Sequence, residues 1–516
     1  MTSPPDFIDI FDRLERDHGV TEWRCGQIYI WPLVKFIVAR DIDRYVKKKG
    51  RFNLHHGFNL QQKVAFTVNS IRGEIDNLRN PLGQADICLF TYETFRHYQI
   101  GEHWFNIFQD PLEHVCEELG LRLTTLELSN IYPPRRPHLN ATHSTSLALT
   151  LIKGLPGLQH YQAYLRDDIE LLNNRLDACS DVLRVEEINA LKHELNMNIP
   201  FLFAAADVFE RRLKIIQPSL GLLANYYSMT GLAFCLACYR SKIRCADISH
   251  GVSGQYHYAY GGWQNTPEEG YELLPNDFLS RTEEDAQALD SLIEGSPAYR
   301  PPIVVGDLAA HAWRQNLYHI ADAPRAILKD IHSGKGEKLQ ILIAAQHIYN
   351  LPPDYLEVMK QTQDWCFYWV RFPPNYMNDV SDLSLPLPDG TYNLSEANSL
   401  PLFALFECAD TIMTETSSVA EDARSWGIPS IITHEIGQLM FQERIEEGGM
   451  IGAMSVDETI EALKKIHDKK CRLEQSYSVQ DINNQRQNLV SYLLESCQNK
   501  PELVSGSQVP INDMPT

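Results

Sequence analysis

Three hydroxyls stand side by side at Thr416, Ser417 and Ser418, inside the stretch ADTIMTETSSVAEDARSWGIPSIIT (409–433). Where an apolar run hands over to a helix, hydroxyls add donors to N–H groups that lack an intrahelical partner and to the positive end of the helix dipole, which makes a phosphate site. The same residues have a second reading. Ser418-Val419-Ala420-Glu421 has the spacing of a capping box, with Ser418 as N-cap and Glu421 reaching back. One cap needs one hydroxyl and three are present, so both readings stand at this point.

Three more places carry chemistry, each just after an apolar run of strand length. His250-Gly251 follows RCADIS, Gln346 and His347 follow LQILIAA, and Arg371 ends WCFYWVR ahead of Pro373-Pro374. Arg371 offers a fixed guanidinium to an anion held by the hydroxyls. His250 suits a general base, since an imidazole of ordinary pKa titrates near 6.5; as one of 18 histidines it is equally a satisfied loop residue. Asp247, Glu268 and Glu269 are rivals for the base. Asp247 falls inside the strand and off the face of His250 by period-2 alternation, and the glutamates lie in a loop, so His250 is preferred.

These residues need strands and helices to position them, and the chain alternates the two. ADICLFTY (85–92), a helix through PLEHVCEELG (111–120) and LRLTTLEL (121–128) come first. A helix over IPFLFAAADVFERRLKII, a strand near 220–225, a helix to about 241 and RCADIS (244–249) follow. Proline-rich residues near 295–302 mark a boundary. The alternation then restarts with PIVVGDL, LQILIAA (339–345), WCFYWVRF (365–372), DTIMT (410–414) and PSIIT (429–433). The pattern predicts an α/β protein of two parallel-sheet domains, in which ligands sit beyond the carboxyl ends of the strands. The expected division is 1–298, 299–470, a helical segment over 471–497 that returns to the first domain, and a disordered tail over 498–516.

Composition bounds what such a protein does. Its 516 residues exceed what a single core usually serves. A net charge of -21 argues against nucleic acid or an anionic membrane as a partner. The N-terminus lacks the basic and apolar regions of a secretory signal, and eleven scattered cysteines suit a reducing cytoplasm. Cys235 and Cys238 form a C-x-x-C with Cys245 and His250 downstream, but no second pair follows, so a metal is not expected. The uncharged run 221–239 is long enough to approach a membrane span; its polar residues favour a strand plus a buried helix.

Taken in order, H-G in the first domain, a strand ending R-x-x-P, a strand ending T-S-S with Glu421 three residues on, and G-I-P after the helix resemble bacterial surface-polysaccharide glycosyltransferases of the GT-B fold. These are the sialyl-, polysialyl- and Kdo-transferases with HP and SS motifs and the teichoic-acid glycerophosphotransferases with an HG motif. WRCGQIYIWPLVKF (23–36), FNIFQDPLEHVCEELG (105–120) and GYELLPNDFL (270–279) extend the resemblance across most of 20–435. It implies two Rossmann-like domains facing a cleft. The donor side would be Arg371, Thr416, Ser417, Ser418, Gln346, His347 and Glu421, with Ser417 and Ser418 on the donor phosphate. His250 would be the acceptor-side base, with Gly251 beside it.

The function implied is transfer of a sugar from a nucleotide-sugar donor to a saccharide or lipid-linked saccharide, in capsule or lipopolysaccharide synthesis. No cofactor is implied, and no metal, since no D-x-D segment stands out. The expected place is the cytoplasm, with peripheral association at the inner face of the membrane. One position departs from the pattern: the family's R-x-H-P reads Arg371-Phe372-Pro373-Pro374, without its histidine. Either His347 compensates, the donor differs, or activity has been lost. The alternatives are therefore transfer of a polyol phosphate from a CDP-linked donor and a non-catalytic glycan-binding scaffold.

Overall fold

The computed structural model describes residues 7–49, 60–129, 137–152, 156–249, 251, 257–332, 338–346, 351–373, 385–387, 390–469 and 479–498. Two all-parallel sheets organise it. The first contains β1 (Ile87–Tyr92), β2 (Leu123–Leu128), β3 (His143–Ser144), β4 (Leu220–Ala224), β5 (Arg244–Ile248), β6 (Asp277–Ser280) and β7 (Ile303–Val304), in the spatial order β7-β6-β5-β4-β1-β2-β3. The second contains β8 (Leu339–Ala344), β9 (Cys366–Arg371), β10 (Tyr392–Asn393), β11 (Thr411–Thr414), β12 (Ser430–Ile432) and β13 (Met450–Gly452), in the order β10-β9-β8-β11-β12-β13. This is the α/β layout with two parallel sheets that the alternation predicts.

The central strands are largely apolar and buried because helices cover both their faces. β8 is buried at every position, as is β4. The run 221–239 divides into β4 and the helix Met229–Arg240, which buries Leu232 to Cys238. Among the described residues no helix is long and apolar enough to cross a membrane, and no three His, Cys, Asp or Glu side chains converge as a metal site. Cys235 and Cys238 lie fully buried in that helix, where burial holds both thiols well above their ordinary pKa.

One feature of the division differs from the sequence reading. Ile303–Val304, the strand of PIVVGDL, does not restart the alternation; it pairs in parallel with Leu279 and Ser280 and ends the first sheet, so that sheet runs past residue 298. The helix Val479–Gln498 packs on the first domain. Tyr492 donates to Asp277 (3.0 Å), Asn488 donates to the Val304 carbonyl (2.9 Å), Arg486 pairs with Glu118, and Leu489 and Leu493 are buried. Of the tail expected over 498–516, Gln498 instead ends this helix and 499–516 lie outside the described residues.

Candidate functional site

The carboxyl ends of the two sheets meet. Arg281, just after β6, pairs with Asp307 after β7 (3.2 Å) and with Asp422 on the helix Val419–Arg424 that follows β11. Two residues along that helix, Arg424 reaches Glu284 of the first domain (2.9 Å). Burial opposes ionisation of Glu284, but Arg424 overcomes it and draws the carboxyl down to about 2. The hydroxyl cluster therefore sits on the element that crosses the seam.

On the second-domain side, register places the candidates in one row. Ala344 of β8 is level with both Arg371 of β9 and Thr414 of β11, so those two lie about 10 Å apart, two strand spacings. Gln346 follows β8 between them, half-buried and without a partner among the described residues. Thr414 anchors the turn by donating to the Ala344 carbonyl (2.8 Å) and accepting from Ser417 N–H (3.3 Å). Ser417 Oγ accepts from Val419 N–H (3.3 Å). The hydroxyls of Thr416 and Ser418 have no partner among the described residues, and both residues are half-buried.

The capping-box reading fails on both its members. Ser418 lies in the helical region (φ -59°, ψ -15°) and its side chain caps nothing. Glu421 turns instead to Arg424 (3.1 Å) and Arg444 (3.0 Å), so it braces the helix from outside the row. Arg371 differs in part from expectation as well. Its Nη1 donates to the carbonyls of Ala397 and Leu400, both at 2.7 Å, which fixes the segment after β10; its other nitrogens have no partner among the described residues. Burial lowers its pKa to about 10.

On the first-domain side, His250 lies outside the described residues, as does His347. Gly251 is held through its carbonyl, which accepts from Ser249 Oγ (3.2 Å). Asp247 is removed from contention as a base. It is fully buried and accepts from Tyr226 N–H (3.0 Å) and Tyr260 O–H (2.8 Å), while burial pushes its carboxyl up to about 7. Glu269 accepts from Tyr29 O–H (2.7 Å) and pairs with Arg24 (2.8 Å). Glu268 gives its carbonyl to Ser296 Oγ (2.8 Å).

Sequence reasoning missed an aromatic wall at the ends of β1, β4 and β5. Tyr227 lies 4.9 Å from the His257 ring and 5.7 Å from Tyr258, and Tyr92 O–H meets Ser228 Oγ (2.5 Å) and Thr230 Oγ1 (3.0 Å). All four rings are half-buried. The signal was present in NYYS directly after β4 and HYAY shortly after Gly251. Lys35 clamps the segment behind this wall: its buried ammonium donates to the carbonyls of Gly261 (3.3 Å) and Gly262 (2.6 Å) and sits 3.8 Å over Trp263. The cavity of about 230 Å³ lined by Arg166, Glu170, Asn173 and Asn196 belongs to the helical layer instead of this seam.

No family model matches the chain, and no curated protein matches it. Among solved structures it is similar to UDP-GlcNAc 2-epimerase from Neisseria meningitidis bound to UDP-GlcNAc, at 15% identity over 79% of this chain and 100% of that one, with a TM-score of 0.47. It is similar to the S. aureus MnaA-UDP co-structure at 15% identity, 81% and 99% coverage and a TM-score of 0.46. The glycosyltransferase SnogD from Streptomyces nogalater is similar at 12% identity, 80% and 99% coverage and a TM-score of 0.41.

Proposed function

We propose that this chain is a glycosyltransferase of GT-B layout, which binds a nucleotide sugar at the seam and transfers the sugar to a saccharide of the cell surface. The observation that supports it is the row of polar groups without partners among the described residues after β9, β8 and β11: the outer nitrogens of Arg371, Gln346, and the hydroxyls of Thr416 and Ser418. Four such groups at the carboxyl ends of adjacent parallel strands match an anionic ligand.

In this reading the acceptor hydroxyl attacks the anomeric carbon as the bond from that carbon to the phosphate oxygen breaks. The nucleotide leaves with the electron pair, its charge met by the hydroxyls and Arg371 in place of a metal. The hydroxyl proton passes to His250. The aromatic wall of Tyr92, Tyr227, His257 and Tyr258 offers ring faces and polar edges to the acceptor. A specific observation favours the scaffold alternative: Arg371 already serves two carbonyls, and Pro373 stands where the family's histidine would be.

A thermal-shift series with CMP, CDP, UDP, GDP and their sugars tests the reading, because a ligand that binds only the folded state raises apparent stability. One nucleotide should raise the melting temperature, and Thr416→Val or Ser418→Ala should weaken it roughly tenfold, the loss of one hydrogen bond to a charged group. A cytidine preference would favour the sialyl, Kdo or polyol-phosphate branches. Failure of every nucleotide removes the row from donor binding. Binding without transfer selects the scaffold; with transfer, His250→Ala should lower turnover at least about a hundredfold.

A further inference from the structure

Away from the seam, the cavity of about 230 Å³ lies between the helix Arg166–Asp177 and the helix Val185–Ile216, with Gln162 of the helix Pro156–Tyr164 beside it. Its buried lining residues, Ile169 and Pro200, are apolar, and the others are polar. The cavity is smaller than the roughly 300–1,000 Å³ of a pocket for a drug-sized ligand, so it has room for one small molecule.

Three acceptors on its walls lack donors. Pro200 interrupts a helix of 32 residues, and having no N–H it gives none to the carbonyl of Asn196, one turn before it. Asn173 donates through Nδ2 to Asn196 Oδ1 (3.3 Å), while its own Oδ1 is buried and meets no donor among the described residues. A buried acceptor left in that way destabilises the fold until something donates to it. The third is the Glu170 carboxylate, which pairs with no cation among the described residues.

Donors stand opposite. The side chains of Arg166 and Gln162 line the same cavity and have no partner among the described residues either. Arg166 and Glu170 are four residues apart on one helix, the spacing of a helical ion pair, yet they do not pair. Their order contributes, since such pairs favour the glutamate first and here the arginine leads. Both charges are therefore left for a ligand.

A cation alone would match the acceptors and leave the guanidinium, and an anion alone would do the reverse. We propose that the cavity binds a small zwitterion of the α-amino-acid type. Its ammonium meets Glu170, the Asn196 carbonyl and Asn173 Oδ1, its carboxylate meets Arg166 and Gln162, and its side chain lies against Ile169 and Pro200. The proposal stands independently of nucleotide binding, and its test reads neither nucleotide nor turnover.

Thermal-shift measurements on the full-length protein with each standard amino acid at millimolar concentration, followed by calorimetric titration of those that respond, decide it, because a ligand of the folded state raises apparent stability. At least one amino acid should raise the melting temperature. Its N-acetyl derivative, which lacks the ammonium, and its carboxamide, which lacks the carboxylate, should bind at least about tenfold more weakly. Glu170→Gln and Arg166→Gln should each weaken binding of the amino acid by the same factor. Both positions are exposed, so melting temperatures without amino acid should match the parent protein. The proposal is overturned if no amino acid responds, if either derivative binds as well as its parent amino acid, or if either variant binds like the parent protein. Should glucose or N-acetylglucosamine respond in place of the amino acids, the cavity is a saccharide site and the proposal falls.

Discussion

Each domain contains a four-residue turn from a parallel strand to a helix, and both turns end in serine. In the first, Asn225 to Ser228 join β4 to the helix Met229–Arg240; in the second, Glu415 to Ser418 join β11 to the helix Val419–Arg424. Ser228 is extended (φ -131°, ψ 159°), and its Oγ accepts from Gly231 N–H (2.9 Å) while meeting Tyr92 O–H. Ser418 is already helical, so its hydroxyl points away from the N–H groups it could cap. The backbone conformation of the last turn residue thus separates a serine that caps its helix from one whose hydroxyl is left for a ligand. A serine before a helix is evidence for a site only when its backbone keeps it from capping.

The largest effects should come from the glycines that hold these turns in place. A Cβ on Gly437, in the helix Glu435–Met440, would lie 1.8 Å from the Glu415 carbonyl oxygen, so the second turn would have to move. A Cβ on Gly231 would lie 2.5 Å from the carbonyl oxygens of both Asn225 and Tyr226. Gly437→Ala and Gly231→Ala should each lose about 1–3 kcal/mol in urea denaturation, the usual cost of overpacking, with Gly437→Ala the worse. Only Gly437→Ala should also abolish the nucleotide response. Should it remain within about 0.5 kcal/mol of the parent protein, the turn is loose and the contrast with Gly231 collapses.

The two serines should separate next. Ser228→Ala should lose about 1 kcal/mol, the value of a helix cap, without changing nucleotide affinity. Ser418→Ala should change stability by less than about 0.5 kcal/mol and weaken nucleotide binding. Equal stability losses at the two positions would mean that Ser418 caps in solution, and the reading of the second turn would have to be abandoned.

What the sequence made legible follows from the range of the interactions involved. Long buried strands such as LQILIA and CFYWVR declare themselves as runs of mostly apolar residues, and the residues at and after their ends could be named in advance. Strands of two or three residues, such as Tyr392–Asn393 and Met450–Gly452, have no room to show a period. Ile303–Val304 was visible as a strand, but its partner in β6 was not, because DFLS carries polar residues at both ends. At the site, Ser418 and Glu421 had ideal capping spacing; the competitor, Arg444, lies 23 residues further on, beyond the reach of a local pattern. Arg371 was correctly read as a strand-end residue, yet its bonds to Ala397 and Leu400 depend on how the chain returns after β10.

The smallest effect concerns a link that only the second turn possesses. Its helix is held to the first domain by Arg424 and Glu284 (2.9 Å), whereas Ser228 and its helix lie within their own domain. Glu284 sits at about 2, below the ordinary 4.5, because Arg424 outweighs the opposing effect of burial. A carboxyl depressed in the folded state binds its proton more readily when unfolded, so its contribution is complete above about pH 4.5 and declines as pH falls toward 2. The side chain is 31% exposed and Arg424 keeps a second partner in Glu421, so the net contribution should be only a few tenths of a kcal/mol. Urea denaturation of the parent protein and Glu284→Gln should therefore show the parent slightly more stable at pH 7, with more than half of that difference gone by pH 3. A difference that persists unchanged to pH 3 would mean that the Glu284 carboxylate is not what ties the second turn across the seam.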